Sequence, residues 1–176
     1  MLFWHVGATV AFIRYAFRDE SMDLRFLALG AILPDLVDTP IGLALWPTIG
    51  SVRLATHTLV FAALLLVLVM ATTRRGRPRK RWMALAVGVL LHLVLDGMWR
   101  SPETLWWPFF GWEFESTSFA TVGDYLSWLL SDIRTWGSEA LGFAYLVVLA
   151  RRSGLSDASA RRVLMKTGRI RAPIGR

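Results

Sequence analysis

The chain has no cysteine, and no stretch rich in both glycine and serine divides it. Without thiols there is neither a disulfide nor a thiolate metal site, so any metal must be held by imidazoles and carboxylates; the redox compartment stays open. Without a flexible linker, 176 residues make one domain. Internal repeats and low-complexity tracts are also missing. The first segment lacks a basic n-region and a small-residue cleavage site, so it is expected to belong to the mature protein rather than to a signal peptide. What fills the chain instead is apolar. Hydrophobic residues make up 55%, nine are tryptophan, and the mean hydropathy of +0.46 is too high for an ordinary water-soluble domain.

The apolar residues fall into five segments, Leu2–Phe17, Phe26–Trp46 (broken at Pro34 and Pro40), Thr56–Thr72, Trp82–Trp99 and Trp136–Ala150. The third and fourth, about 17 and 18 residues long, approach the roughly 20 that cross a bilayer. The others are expected to tilt, thin the bilayer or enter it only partly. The expected fold is all-α, a polytopic membrane bundle of about five membrane segments plus an interfacial helix. Residues 1–150 are expected to form the membrane-embedded domain and 151–176 a basic cytoplasmic tail.

Basic residues support a topology. Of the 20, all but Arg53, Arg100 and Arg134 lie in three places. These are the first connection (Arg14, Arg18, Arg25), the third (Arg74, Arg75, Arg77, Arg79, Lys80, Arg81) and the tail from Arg151 to Arg176. Loading alternate connections is what the positive-inside rule expects, with the N-terminus outside and the C-terminus cytoplasmic. Anionic lipid headgroups account for these runs, and no nucleic-acid partner is expected. The mixed segment Asp157–Arg169 suits a short surface helix.

Six ionisable residues interrupt this pattern: His5, Asp35, Asp38, His57, His92 and Asp96 sit inside the apolar segments or at their ends. A charged side chain near a bilayer centre costs about 2.5–3.5 kcal/mol or more, so something compensates them. Under the topology above all six fall at the outer ends of their segments, at one depth. His92 and Asp96 are four apart and project from one helical face, and Asp35 and Asp38 are three apart. Pro34, just before them, is suited to a first turn or a kink. Thr56 is placed to cap a helix beginning at His57. Histidine with carboxylate is the ligand set of a zinc-like divalent cation, with manganese or iron also compatible.

These residues carry a resemblance. His5-Val6-Gly7-Ala8, Gly30-Ala31-Ile32-Leu33-Pro34-Asp35-Leu36-Val37-Asp38, Thr56-His57-Thr58, and His92-Leu93-Val94-Leu95-Asp96 with Leu105-Trp106-Trp107-Pro108-Phe109 are similar to the motifs of the bacterial membrane-bound metal-dependent hydrolases of the YdjM inner-membrane group. The matching blocks span residues 5 to 109. One position departs: the family often carries His-Arg before its Thr-His-Ser block, and here Val52 precedes Arg53.

The resemblance implies metal-assisted hydrolysis at the bacterial inner membrane. It makes His5, Asp35, His57, His92 and Asp96 the expected metal ligands. Asp38 is expected as a ligand, a bridge between two metals or a general base. Arg53 and Arg100 are the expected clamps for a phosphate. A site at the membrane boundary suits an amphiphile, a phospholipid or other lipid-linked phosphoester. Trp99, Trp106, Trp107 and Trp112 are expected to form an interfacial belt or a pocket wall. Phe114–Arg134 is read as an interfacial helix or a lid. Two other readings of the charges are an ion or proton pathway, which calls for charges through the full membrane depth, and a structural scaffold without activity.

Overall fold

The computed structural model describes residues 1–18 and 21–170. Arg171 and Arg176 of the basic tail therefore lie outside the described residues. Every regular element among those described is helical. Helix α1 (Leu2–Phe12) continues as a single π-helical turn, Ile13–Phe17. Helix α2 (Leu24–Ala44) and the short α3 (Trp46–Ile49) follow. A 3-10 turn, Ala55–His57, leads into α4 (Leu59–Thr72) and then α5 (Arg77–Leu95). A second 3-10 turn (Met98–Arg100) and α6 (Pro102–Leu105) precede α7 (Val122–Ser131), α8 (Ile133–Arg152) and α9 (Ala158–Thr167).

Helices α2 and α5 form the central pair and share the most extensive contact in the molecule. Their backbones nearly touch where two glycines meet. A Cβ on Gly30 would lie 2.0 Å from the Leu85 carbonyl oxygen, and one on Gly88 would lie 2.4 Å from that of Leu27. Close approach through small residues is how helices associate in lipid, where apolar burial alone offers little gain. Helix α1 lies against α2 and α5 and carries α8 on its other side, while α4 packs on α5. Leu27, Val10, Ile13 and Ala84 fill one core cluster; Ala62, Leu85, Val89 and Leu93 fill a second beside it.

Pro34 and Pro40 do not break the second segment as expected. Helix α2 runs through both. Donors from neighbouring elements reach its backbone at this level: the Thr56 hydroxyl donates to the Pro34 carbonyl at 3.2 Å and His92 Nδ1 to the Ala31 carbonyl at 2.7 Å. Each proline removes only the one N–H that would bond the carbonyl four residues back, Gly30 for Pro34 and Leu36 for Pro40, and the rest of the ladder carries the helix through.

The three basic regions meet at one end of the bundle. Asp23 caps α2 and pairs with Arg25 at 2.6 Å and with Arg81 at 3.2 Å. Lys80 Nζ reaches the Ser21 hydroxyl, Arg169 Nε reaches the Ser21 carbonyl, and the Leu24 N–H donates to the Gly168 carbonyl at 2.8 Å. The tail segment does form a helix, α9, capped by Asp157. It is thereby fastened beside the start of α2. Along α5, Arg81 and Asp96 are 15 residues apart, about 22 Å at 1.5 Å per residue, so the basic end and the His/Asp end lie at opposite ends of the bundle.

Among the described residues, only α2 is both long and apolar enough to cross a membrane on its own, with a mean hydropathy of 1.5. The apolar cores of Leu2–Phe17 and Leu59–Thr72 are shorter. Even so, α4 turns its apolar side chains outward: Leu64, Val67, Leu68 and Met70 are all more than half exposed. An apolar surface of this extent needs an apolar medium or a partner.

Candidate metal centre

Three elements bring four of the ionisable residues together. Asp35 comes from the second half of α2, His57 from the 3-10 turn before α4, His92 from the last turn of α5 and Asp96 from its C-cap. One donor atom from each of Asp35, His57, His92 and Asp96 lies within 4.8 Å of the others. The α2–α5 glycine crossing sets the helix spacing that makes this possible, since Gly30 and Gly88 stand four or five residues from Asp35 and His92.

The tautomers of both imidazoles follow from their outer partners. His92 Nδ1 faces the Ala31 carbonyl, an obligate acceptor, at 2.7 Å, and so carries the proton. His57 Nδ1 faces Asp38 Oδ2 at 2.8 Å. That carboxylate also accepts the backbone N–H groups of Leu54 (2.8 Å), Thr56 (3.0 Å) and His57 (3.2 Å), so His57 Nδ1 must donate as well. In its neutral form each ring therefore turns an Nε2 lone pair inward, and the two Nε2 atoms are 3.2 Å apart. Two lone pairs at that separation repel unless a proton or a cation lies between them.

Two carboxylates complete the group. Asp35 Oδ1 is 3.5 Å from His57 Nε2 and 3.7 Å from His92 Nε2, and Asp96 Oδ2 is 3.8 Å from His57 Nε2. These separations are at or beyond the limit of hydrogen bonding. They match donors sharing one ion, because zinc bonds of about 2.0–2.1 Å put tetrahedral ligands roughly 3.3 Å apart. The donor set of two neutral imidazoles and two carboxylates therefore fits a divalent cation. Both histidine side chains are fully buried and Asp96 nearly so, whereas Asp35 is 30% exposed. The cluster opens to the outside on the Asp35 side.

Two expected ligands stand one contact further out. Asp38 is occupied by three backbone N–H groups and the His57 imidazole, which makes it the group that orients His57 and ties the turn before α4 to α2. His5 places Nδ1 2.6 Å from the Met1 carbonyl and Nε2 2.9 Å from Asp96 Oδ1. Both nitrogens are engaged, so His5 steers Asp96 while stacking on His92 at 4.3 Å between ring centres. Thr56 is not the helix cap. Thr58 fills that role, accepting from the Phe61 N–H at 3.0 Å, while Thr56 bridges α2 through Asp38 and Pro34.

Arg53 does reach the cluster. Its Nε donates to Asp96 Oδ2 at 3.0 Å and its side chain remains 40% exposed. Arg100 is exposed beyond Gly97 and makes no hydrogen bond or ion pair with the cluster among the described residues. Trp99, Trp106 and Trp112 are exposed near this end, Trp112 the most. Trp107 packs against Trp112 and Phe114, so these rings form a surface aromatic group apart from the ligands.

Sequence reasoning missed two residues. Tyr125, on α7, rests on Trp46 with ring centres 5.3 Å apart and is half-buried. Burial raises its hydroxyl pKa above the usual value; Arg53 pulls it down, and the charges of Asp35 and Asp96 push it up, so the phenol lies within electrostatic reach of the cluster. Helix α7, which carries it, begins with a Thr121–Asp124 capping box. Glu139, on α8, accepts the N–H groups of Phe3 (2.9 Å) and Trp4 (3.2 Å) and so fixes the start of α1 and with it His5. A lone tyrosine among many aromatics and a glutamate in an amphipathic helix gave no spacing signal.

An all-helical protein with a buried His/Asp cluster at one end is the class that this architecture defines. Residues 3–156 match the family of YdjM inner membrane proteins, and the chain belongs to that family. No curated protein and no solved structure matches it.

Proposed function

We propose that the protein is a metal-dependent hydrolase of the bacterial inner membrane that acts on an amphiphile, a phospholipid or other lipid-linked phosphoester. The observation that carries this reading is the pair of tautomer-fixed Nε2 lone pairs 3.2 Å apart, joined at one point by two carboxylates. Asp35, His57, His92 and Asp96 would hold the ion, with zinc favoured by the imidazoles and manganese or iron compatible with the carboxylates. When bound, a divalent cation lowers the pKa of a coordinated water and polarises a phosphoryl or carbonyl oxygen.

The chain's own residues supply the remainder. Asp38 and the Ala31 carbonyl hold the two imidazoles in register. His5 and Arg53 hold Asp96 from its two oxygens. The Arg53 side chain is two-fifths exposed, which leaves donors for an anionic headgroup, and Arg100, four residues after Asp96, would be a second cation for it.

In the membrane, we place five crossings with the N-terminus and the cluster outside and the basic end with α9 in the cytoplasm. The convergence of the three basic regions at the end opposite the cluster supports this orientation. An ion pathway would need charged groups spread along the bundle axis, and α2 carries none between Arg25 and Asp35, nor α5 between Arg81 and His92. The test is elemental analysis and turnover of the detergent-purified protein on a panel of lipid phosphoesters. Stoichiometric metal with hydrolysis, both lost in His92→Ala, is the expected result. A metal-free, fully folded wild type would overturn the reading.

A further inference from the structure

The ring of Tyr125 is braced by three aromatic neighbours. It lies on Trp46 with ring centres 5.3 Å apart, and it meets Phe119 at 5.9 Å and Trp128 at 6.3 Å. Trp46 is almost fully buried, so this contact anchors α7 to α3. The hydroxyl is treated differently. Among the described residues it has no hydrogen-bond partner, and it is not sealed from the surface. A buried or half-buried tyrosine usually gives its hydroxyl a partner.

Its surroundings narrow the choice of partner. From Trp46 the chain passes through Gly50 and Ser51 to Arg53, and this segment folds back on α2, where a Cβ on Gly42 would lie 2.2 Å from the Ser51 carbonyl oxygen. The approach to α7 is tied to the same segment. Thr117 donates its backbone N–H (2.8 Å) and its hydroxyl (2.9 Å) to the Gly50 carbonyl. Helix α7 is therefore built onto the loop that carries Arg53. Arg53, Asp35 and Asp96 all act electrostatically on the Tyr125 hydroxyl, and Arg53 and Asp35 keep 40% and 30% of their side chains exposed. Burial and the two carboxylates hold the phenol pKa above its usual value against the pull of Arg53, so the group keeps its proton and can donate.

We propose that the Tyr125 hydroxyl is a substrate-binding group, donating to an oxygen of a phosphoryl anion held by the exposed donors of Arg53. The assignment deepens the hydrolase reading above and rests on it for the reaction, whereas the contact itself requires only the anion. A cationic head would be repelled by Arg53, and a neutral one would leave its charge without a counterion. A phosphoryl group offers three oxygens, enough for the cluster, Arg53 and Tyr125 together; a carboxylate offers two.

The experiment places ¹³C at Cζ, the carbon bearing the hydroxyl, in the tyrosines of the detergent-purified protein, with zinc added. The chain has three tyrosines, so Tyr125→Phe assigns one signal by its loss and Tyr15 and Tyr145 serve as references. Hexadecylphosphonate, whose P–C bond resists hydrolysis, is expected to shift the Tyr125 signal saturably and to leave the other two in place. Hexadecanol, with the same chain and no anion, is expected to shift none. Phenylalanine keeps the ring on Trp46, so Tyr125→Phe should retain wild-type Tm and metal content. It should bind hexadecylphosphonate about tenfold more weakly, the worth of one hydrogen bond to a charged acceptor.

An unmoved Tyr125 signal, an equal shift from hexadecanol, or a phenylalanine variant that binds the phosphonate as tightly as wild type overturns the contact. Methylphosphonate then separates two sources of the anion. Weaker binding than hexadecylphosphonate assigns the contact to a lipid head and equal binding to a water-soluble phosphate, and a Tyr125 shift in either case upholds it. None of these readouts uses turnover. A protein that binds phosphonate through Tyr125 yet hydrolyses no lipid phosphoester overturns the hydrolase reading and leaves the contact standing; turnover with an unmoved Tyr125 signal does the reverse.

Discussion

His57 and His92 point their Nε2 atoms at each other across 3.2 Å while each commits Nδ1 to a different acceptor, Asp38 for one and the Ala31 carbonyl for the other. Neither ring can turn over to relieve this without breaking a buried hydrogen bond. Adding a cation therefore costs the fold no rearrangement of these two donors. Removing one leaves two lone pairs and two carboxylates facing inward.

Chelation is accordingly expected to destabilise the protein. At an ion concentration 100 times Kd, a site present only in the folded state contributes about 2.7 kcal/mol. A chelator should lower Tm in detergent, and zinc should restore it. His57→Ala and Asp96→Ala should carry well under one equivalent of metal and respond to neither addition. An identical response in those variants and in wild type would remove the site.

Asp38→Asn separates orientation from ligation. The amide keeps the shape but cannot accept from all four of its present donors, so His57 loses its fixed tautomer. Losing an outer hydrogen bond of this kind weakens metal affinity about 10- to 100-fold. Competition with a chelator of known affinity measures it. Retention of stoichiometric metal at saturating zinc is expected here, in contrast to His57→Ala.

Gly88→Ala tests the scaffold. Its Cβ would stand 2.4 Å from the Leu27 carbonyl oxygen, a backbone atom that cannot swing aside. Overpacking of this kind costs about 1–3 kcal/mol, and here it also parts α2 from α5. Tm and metal content should fall together, although Gly88 touches no ligand. A fall in Tm with metal fully retained would show that the crossing does not set the site.

The donor residues were all legible in the sequence, because ionised groups in apolar segments need a compensating partner and because His92 and Asp96 sit one helical turn apart. Their convergence at one end was legible from the placement of basic residues. The division of labour was not. His5 and His57 are the same residue type at segment ends, and Asp35 and Asp38 are three positions apart; only side-chain direction makes one a ligand and the other its support. The cap at Thr58 rather than Thr56 depends on a 3-10 turn that hydrophobic periodicity does not reveal. The unbroken course of α2 through Pro34 and Pro40 has no sequence signal, because proline ordinarily kinks or ends a helix, and the approach of Tyr125 to Trp46 joins elements distant in sequence.

The opposite end offers a pH dependence. Burial raises the Asp23 pKa, but the hydrogen bond and charge of Arg25, with the N–H groups of Arg25 and Phe26, outweigh it and bring the carboxyl below its usual value. A carboxyl depressed in the fold contributes stability that is complete above its unfolded pKa, about 3.9, and that is lost as pH falls through the lower folded value. The fastening of α9 beside α2 should therefore hold at neutral pH and loosen only in strong acid. Limited proteolysis after α8 should show faster cleavage in Asp23→Asn than in wild type at pH 7, with the difference shrinking as both are acidified.

Arg53 is where structure and chemistry can be pulled apart. It donates to Asp96 through Nε, yet two-fifths of its side chain is exposed on the open side of the cluster, leaving guanidinium donors for an incoming anion. Asp96 keeps His5 as its other partner, so the carboxylate stays in place when Arg53 is removed. Arg53→Ala should consequently retain metal and lose less than about 1 kcal/mol of stability, as expected for a partly exposed pair. Its KM for a phosphoester lipid should rise about tenfold or more, since charge-assisted contacts to phosphate are among the stronger hydrogen bonds. Lysine at this position should recover part of that loss as a point charge but not the forked geometry. Loss of metal together with activity in Arg53→Ala would instead make Arg53 a support for Asp96 alone.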